Sequence, residues 1–462
     1  MTAEQTPRES TDAAPQVRSA TLPARVAIEA RRWWNGRTRM IVFVFGGLLV
    51  LGRSDTVDLA KLAYFVAAAA VVFSAAKAIW RERGTRHLSN MRPWIAISVA
   101  FAVMIAVSLP VALAHGVSFV PWLRGAASYG LFAAAPLVAF DASRAISPRE
   151  AVRWMAMAAA LAAISFSIYW LEHRHIAELG IEPLVLPSAQ LANAGFAVAV
   201  AFAFRSRRTA LWAVAGGLIL GALLVTGTRT TFLLLAVVAI LGIMAGRSQW
   251  KRVGTAIIVG AAAAVLVVVF TIAALSNPRP SSGPTPAPTS DLSPTTATLQ
   301  ETPRPDLISE RLGSTWTMSS DQESGQSLRE RIAQTQAAFA AFAANPLLGS
   351  GPGRLYRWTN SSGLSVESPS LDTPLMVAAE FGLLGILLCL ALVGVFAWFI
   401  RLTGRTTGRG PEHLSVVGLA ATFGLTGFLG PPMDDKGAAY ALALVLTIAL
   451  SVAARKREDV EL

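Results

Sequence analysis

Long runs of Ala, Val, Leu and Phe, separated by short polar segments, run through most of the chain. A helix that crosses a bilayer needs roughly 20 predominantly apolar residues, whereas the core of a soluble domain rarely needs runs of this length. The pattern predicts an all-α fold, a polytopic membrane bundle of about 12 transmembrane helices with a large extracytoplasmic loop that contains short helices. The predicted spans are residues 40–52, 59–80, 93–114, 122–141, 151–170, 188–205, 210–226, 229–246, 254–275, 372–400, 414–430 and 437–454.

Arginine and lysine residues concentrate on alternate connections between these spans. Connections rich in Arg and Lys stay in the cytoplasm, so we expect a multi-pass inner-membrane protein with both termini in the cytoplasm. One missed span would place basic connections on both sides of the membrane. The basic connections are the leader and residues 81–92, 144–153, 205–208, 247–252, 401–409 and 455–457.

The same pattern divides the chain into a cytoplasmic leader, two membrane regions, the loop between them and a short cytoplasmic tail. The leader is basic and is predicted to be disordered, and the two membrane regions hold the first nine and the last three predicted spans. In chain order these parts are residues 1–38, 39–275, 276–371, 372–454 and 455–462.

The extracytoplasmic loop has two different halves. Residues 276–306 are rich in Pro, Ser and Thr, which predicts an extended linker because such a tract cannot bury a core. A capping box that starts at Ser327, followed by apolar residues at helical spacing, predicts a helix over 327–345. Pro346 should end that helix, and a glycine-rich turn is expected at 349–353.

Composition excludes some classes of function. Hydrophobic residues make up 53% of the chain and charged residues only 15%, whereas a soluble domain carries roughly 25% charge. The net charge of +12 could indicate a nucleic-acid partner, but the basic residues lie in the short connections, so we expect membrane lipid and no nucleic acid. The single Cys389 lies in an apolar run, which excludes a disulfide framework.

Several arginines could bind an anion at the outer face. Arg229 stands at the outer start of a predicted helix, where free backbone N–H groups and the helix dipole favour anions, and a guanidinium can hold a diphosphate through two hydrogen bonds. The alternative is an Arg that extends to the interface without a function. Arg331, Arg354 and Arg124 are each expected to be structural when taken alone, but together they would form a cationic pocket suited to a lipid-linked phosphate donor.

Carboxylates are few on the outer side. Asp372 lies where the loop returns to the membrane and is expected to cap a helix, to act as a general base, or both. Glu380 lies about two turns deeper. Asp434 and Asp435 could hold a divalent metal, but the adjacent Lys436 argues against it and favours a solvated turn.

Two other patterns favour structural roles. Residues 172–175 contain two His but no third ligand at an obvious spacing, which favours a solvated loop over a metal site. Gly217 and Gly221 form a GxxxG pair, which predicts close helix packing.

These motifs, in this order, resemble the O-antigen ligase/polymerase superfamily of bacterial membrane glycan ligases and polymerases. The resemblance rests on a small-residue-plus-Arg helix start, an Arg-bearing loop helix that leads to a Pro-Leu-x-Gly-x-Gly element, a returning helix and a large late loop. In this chain those features are Thr226-Gly227-Thr228-Arg229, Arg331 with residues 345–353, residues 372–385 and residues 276–371.

The resemblance implies an enzyme of cell-envelope polysaccharide biosynthesis, a glycosyltransferase of the ligase or polymerase type. It would transfer a glycan from a polyprenyl-diphosphate carrier to a glycan or lipid acceptor on the outer face of the inner membrane, without nucleotide sugar, metal or other cofactor. Arg229, Arg331, Arg354 and Arg124 would bind the diphosphate, and Asp372 would be the catalytic base.

One departure from the family pattern bears on the type of reaction. Ligase-type members commonly carry His-Asn just before the returning helix, where this chain has Leu371-Asp372. We therefore expect a polymerase-like or otherwise divergent glycan transferase.

Three alternatives remain at the level of sequence, and one of them is a scaffold without catalytic activity. A transporter or flippase for a lipid-linked sugar would favour internal repeats and charges at mid-membrane, whereas the strongest charges here lie at the outer rim. A peptidoglycan-type polymerase of the cell shape and division group also uses an Asp in an outer loop, but the Pro-Leu-x-Gly-x-Gly element fits it less well.

Overall fold

The structure, a computed structural model, describes residues 34–51, 59–81, 90–178, 189–225, 230–276, 322–360, 365–428 and 430–461. The leader up to residue 33, the proposed linker from residue 277 to residue 306, and Arg229 lie outside the described residues, as do the side chains of residues 172–175.

The chain is mostly helical, and each predicted span overlaps a helix. Apolar periodicity and long Ala-rich runs account for this, because a helix satisfies every backbone hydrogen bond within its own segment. The helices are α1 Gly36–Ile41, α2 Gly47–Leu51, α3 Leu59–Arg81, α4 Arg92–Ala114, α5 Phe119–Ala145, α6 Pro148–Glu178, α7 Ala189–Arg205, α8 Thr209–Val225, α9 Thr230–Ala245, α10 Trp250–Ser276, α11 Gln322–Ala344, α12 Met376–Thr407, α13 Pro411–Thr426 and α14 Lys436–Glu461. A π-helical turn, Val42–Gly46, joins α1 to α2.

Within the described part of the chain, 6 helical segments are long and apolar enough to cross a membrane. The chain is therefore a multi-pass membrane protein, while the number of about 12 crossings stays a prediction. The long segments are Leu59–Arg81, Arg92–Ala114, Phe119–Ala145, Arg247–Thr271, Met376–Thr407 and Lys436–Ala453; Ala189–Arg205, Thr209–Val225 and Leu233–Ala245 are apolar but shorter.

Helices α5, α7 and α14 form the centre of the bundle, and most of their side chains are buried. Small residues allow this close approach, as where Gly195 of α7 lies against Ala159 of α6. The predicted GxxxG packing is confirmed, because a Cβ on Gly221 would lie 2.8 Å from the carbonyl oxygen of Ala264 in α10. Gly217 lies against Gly260 of α10 in the same way.

Contacts between connections define two ends of the bundle. At one end, which we call the basic end, Arg39 donates to both carboxylate oxygens of Asp141, at 2.6 and 2.8 Å. Arg37 forms an ion pair with Glu150 at 2.6 Å, and Arg205 donates to the carbonyl of Ala245 at 2.8 Å. The contacts of the loop, described below, join the opposite end, which we call the loop end.

The structure differs from the sequence prediction in three places. The fold is not entirely helical, because the antiparallel strands β1 Tyr356–Thr359 and β2 Ser365–Ser368 form a hairpin in the loop. Helix α11 begins at Gln322, so Ser327 lies inside a helix and the capping-box prediction is wrong, whereas the predicted end before Pro346 is confirmed. Helix α12 begins at Met376, later than the predicted 372.

Candidate functional site

A small separate core joins the loop to the bundle at the loop end. One face of β1 carries the buried residues Tyr356 and Trp358, because side chains alternate between the two faces of a strand. These rings pack with Ala338 of α11 and with Met376 and Ala379 at the start of α12. The core fixes the Arg-bearing loop helix and the hairpin on the returning chain.

The turn that follows α11 completes a break in α12. Gly382 has a φ of 63° and a ψ of −148°, which interrupts the helix. The N–H of Leu383 donates to the carbonyl of Pro346 at 2.7 Å instead of to Ala379. In exchange, the N–H groups of Ser350 and Gly351 donate to the carbonyls of Ala379 and Glu380, each at 2.9 Å. The turn therefore satisfies backbone groups that would otherwise be unpaired in an apolar surrounding.

The same turn also lies against α4 and α5. A Cβ on Gly351 would lie 2.5 Å from the side chain of Ala112, near the end of α4. A Cβ on Gly125 of α5 would lie 2.8 Å from the backbone nitrogen of Gly353. His115 Nε2 lies 3.1 Å from Asn345 Oδ1. The Pro-Leu-x-Gly-x-Gly element thus packs between α4, α5 and α12.

Asp372 lies in the returning segment, residues 370–375, between the hairpin and α12. Its N–H donates to Oε1 of Gln334 on α11 at 2.8 Å, and the hydroxyl of Thr335 donates to that of Thr373 at 3.2 Å. The prediction that Asp372 caps the returning helix is wrong, because the N-cap residue of α12 is Leu375. The carboxyl group of Asp372 is partly buried and does not cap the helix.

Asp434 lies close to Asp372. The sequence pattern does not reveal this proximity. The hydroxyl of Ser370 donates to Asp434 Oδ2 at 3.2 Å, and Asp372 is among the charges that act on Asp434. Burial, with a smaller contribution from Asp372, raises the pKa of Asp434 from 3.8 to about 6. Asp434 and Asp435 are both partly buried, so the expected turn is only partly solvated.

Asp435 has a different environment from its neighbour. It accepts the N–H of Gly437 at 2.7 Å and the N–H of Gln190 at 3.1 Å, and so ties the start of α14 to the start of α7. Burial raises its pKa from 3.8 to about 7 against the effect of these two hydrogen bonds. Within the described residues, no group of three or more His, Cys, Asp or Glu is arranged to hold a metal ion.

Glu380 is a buried carboxyl group within α12 that accepts a hydrogen bond from the hydroxyl of Tyr129 at 2.8 Å. The ring of Tyr129 also packs edge-on against Phe381, with centroids 5.0 Å apart. This contact joins α5 to the broken start of α12, at the residue whose carbonyl accepts the N–H of Gly351.

Of the predicted site residues, Asp372 lies in the segment that contacts Asp434, and Arg124 and Arg354 lie where α5 meets the turn. Arg124 and Arg354 are the chain neighbours of the packed pair Gly125 and Gly353. Their charges act on Lys436 and on Tyr356 respectively, and both of these residues interact electrostatically with Asp434.

Arg331 lies on α11, one turn before the residues that contact the returning segment, and its carbonyl accepts the hydroxyl of Thr335 at 2.7 Å. The structure therefore brings the loop helix of Arg331 and the segment of Asp372 together. The position of Arg229 relative to them lies outside the described residues.

Comparison with known families adds an independent finding. Residues 214–390 match the family model described as O-antigen ligase. The matched region contains the Arg229 motif, the loop helix, the turn and the broken start of α12, and it confirms the resemblance found from the motifs. No curated protein matches the chain.

Proposed function

We propose that this multi-pass membrane protein, which is similar to the O-antigen ligase family over residues 214–390, is a glycosyltransferase. It moves a glycan from a polyprenyl-diphosphate carrier to a sugar or lipid acceptor at the outer face of a bacterial inner membrane. Both termini are then cytoplasmic and the loop end faces outward, in line with the basic connections that meet at the opposite end. The observation that carries the proposal is the attachment of the loop helix, the turn and the Asp372 segment to one another at a single end of the bundle.

The proposed step needs few catalytic groups. An acceptor hydroxyl oxygen attacks the anomeric carbon of the donor, the bond from that carbon to the diphosphate oxygen breaks, and polyprenyl diphosphate leaves. Asp372 takes the proton of the hydroxyl, which is worth roughly 10²–10⁴-fold in rate for a general base. A diphosphate is a good leaving group without protonation, so cations that stabilise its charge suffice.

The proposed cations are Arg229, Arg331, Arg354 and Arg124. An Arg presents a planar fork that matches two phosphate oxygens, which a Lys ammonium does not. Arg354 and Arg124 are supported by the contact between Gly353 and Gly125, and Arg331 by its place one turn from Gln334. Arg229 is supported by the family match and by its place in the chain, just before α9.

The acceptor chemistry favours a polymerase-like or divergent reaction, because Leu371-Asp372 replaces the His-Asn of ligase-type members. A carboxylate in that place supplies the proton acceptor that the His would otherwise supply. The transporter alternative gains no support from the match, since the matched model describes a ligase.

The test is transfer from a purified lipid-linked glycan in proteoliposomes. Arg331→Ala and Arg354→Ala should each lower the rate roughly 10²–10³-fold, the loss expected when one charge-assisted contact in the transition state is removed. Arg357→Ala is the matched control, because Arg357 lies on the exposed face of β1 and pairs with Glu367. Full activity of both variants, with product amount and length unchanged, would contradict the proposal.

A further inference from the structure

Two separate parts of the chain hold the segment that carries Asp372. On one side, Gln334 of α11 accepts the N–H of Asp372 at 2.8 Å. On the other side, the connection between α13 and α14 lies along the same segment, where a Cβ on Gly430 would be 3.8 Å from the Cα of Asp372. The hydrogen bond from Ser370 to Asp434, at 3.2 Å, belongs to this second side.

We infer that Asp434 is a positioning residue of the proposed glycan transfer, which acts on Asp372 through the hydroxyl of Ser370. The inference rests on the proposed function. It gives the connection between α13 and α14 a role in positioning the proposed catalytic base. Asp434 lies outside the region that matches the family model, residues 214–390.

The geometry favours a positioning role over a purely structural one. Asp435 already secures the start of α14 through Gly437 and secures α7 through Gln190, so the connection has its own anchor. Asp434 instead extends to Ser370, two residues before Asp372 in the chain. Asp434 is the last residue of the short 3₁₀ helix Pro432–Asp434, and Asp435 separates it from the start of α14.

Loss of this contact should change the reaction step more than binding. A base that is displaced by a fraction of an ångström still leaves the donor bound by the arginines, so kcat falls while the KM for the donor stays the same. We expect Ser370→Ala and Asp434→Ala each to lower kcat roughly tenfold. The double variant should be no slower than either single variant, because each single change already removes the same hydrogen bond between Ser370 and Asp434.

Asp434→Asn separates the hydrogen bond from the charge. The amide oxygen of Asn can still accept the hydroxyl of Ser370, so this variant should keep most of the wild-type kcat. Glu367→Ala, on β2 in the same loop as Ser370, is the acidic control, since its exposed carboxylate pairs with Arg357. It should leave kcat unchanged.

The measurements are kcat and donor KM in proteoliposomes, corrected for the amount of monodisperse protein. If Asp434→Ala does not accumulate, Ser370→Ala and Asp434→Asn still carry the test, because Ser370 is exposed and the Asn change is isosteric. Additive losses in the double variant, or a loss in Asp434→Asn as large as in Asp434→Ala, would overturn the inference.

The same assay distinguishes this failure from that of the proposed function. Full activity of Ser370→Ala and Asp434→Ala, combined with an inactive Arg331→Ala, overturns the positioning role alone. Full activity of Arg331→Ala and Arg354→Ala as well overturns the glycosyltransferase proposal itself.

Discussion

At the scale of single residues, the surroundings of Asp372 make its proposed role testable without disturbing a helix. Its N–H is held by Gln334, and the N-cap position of α12 belongs to Leu375. The carboxylate therefore does not contribute the capping hydrogen bond that the sequence pattern suggested. A change confined to the carboxylate should affect chemistry and leave the fold unchanged.

Asp372→Asn should lower the rate of glycan transfer roughly 10²–10⁴-fold, because the amide keeps the size of the side chain but cannot accept the proton. The thermal midpoint in detergent should stay within about 2 °C of the wild type, since no cap is lost. The rate is measured with the lipid-linked donor in proteoliposomes. Wild-type turnover in this variant would remove Asp372 from the reaction.

At the scale of elements, the broken start of α12 is the feature that holds the turn after α11 next to the proposed site. An interrupted helix in a membrane region leaves backbone groups unpaired, and here the turn after α11 pairs with them. Gly382 allows the break, because a φ of 63° is costly for residues with a Cβ. The broken helix and the loop turn therefore form one structural unit.

Gly382→Ala should destabilise this unit by roughly 1–2 kcal/mol or more and should lower both the thermal midpoint and the transfer rate. Besides the strained φ, its new Cβ would lie 2.5 Å from the carbonyl carbon of Leu347. Gly394→Ala in the same helix is the matched control, because nothing lies within 4 Å of a Cβ there. It should be neutral or slightly stabilising. Equal thermal midpoints for the two variants would contradict the coupling of turn and helix.

At the scale of the whole molecule, the bundle has a basic end and a loop end. The ion pairs Arg39 with Asp141 and Arg37 with Glu150 lie at the basic end. The bonds from Asp372 to Gln334 and from Gln190 to Asp435 lie at the other. Asp and Arg side chains inside a membrane bundle are less costly when they form ion pairs. An end rich in basic residues is expected to lie on the cytoplasmic side of the membrane.

A labelling experiment tests this orientation. With Cys389 replaced by Ser, a membrane-impermeant maleimide should label Thr359→Cys in intact spheroplasts, because Thr359 is exposed on β1. Thr407→Cys, at the end of α12, should be labelled only after permeabilisation. The reverse result would invert the topology and place the proposed site in the cytoplasm.

The sequence alone was enough for the features that depend on local pattern. Apolar runs placed a helix at each predicted span, Pro346 ended the loop helix, and Gly217 with Gly221 indicated close packing, because each of these depends on neighbours in the chain. The motifs also indicated a resemblance to the O-antigen ligase family, and residues 214–390 match its model.

Only the tertiary structure decided which distant groups meet. The contact of Asp434 with Ser370 joins residues 64 positions apart, and the bond of Tyr129 with Glu380 joins residues 251 apart. No periodicity encodes such pairs. The cap assigned to Asp372 failed for the same reason, since its N–H bonds Gln334, 38 positions away, and α12 begins only at Met376. Local pattern determines the helices, and long-range packing determines the site.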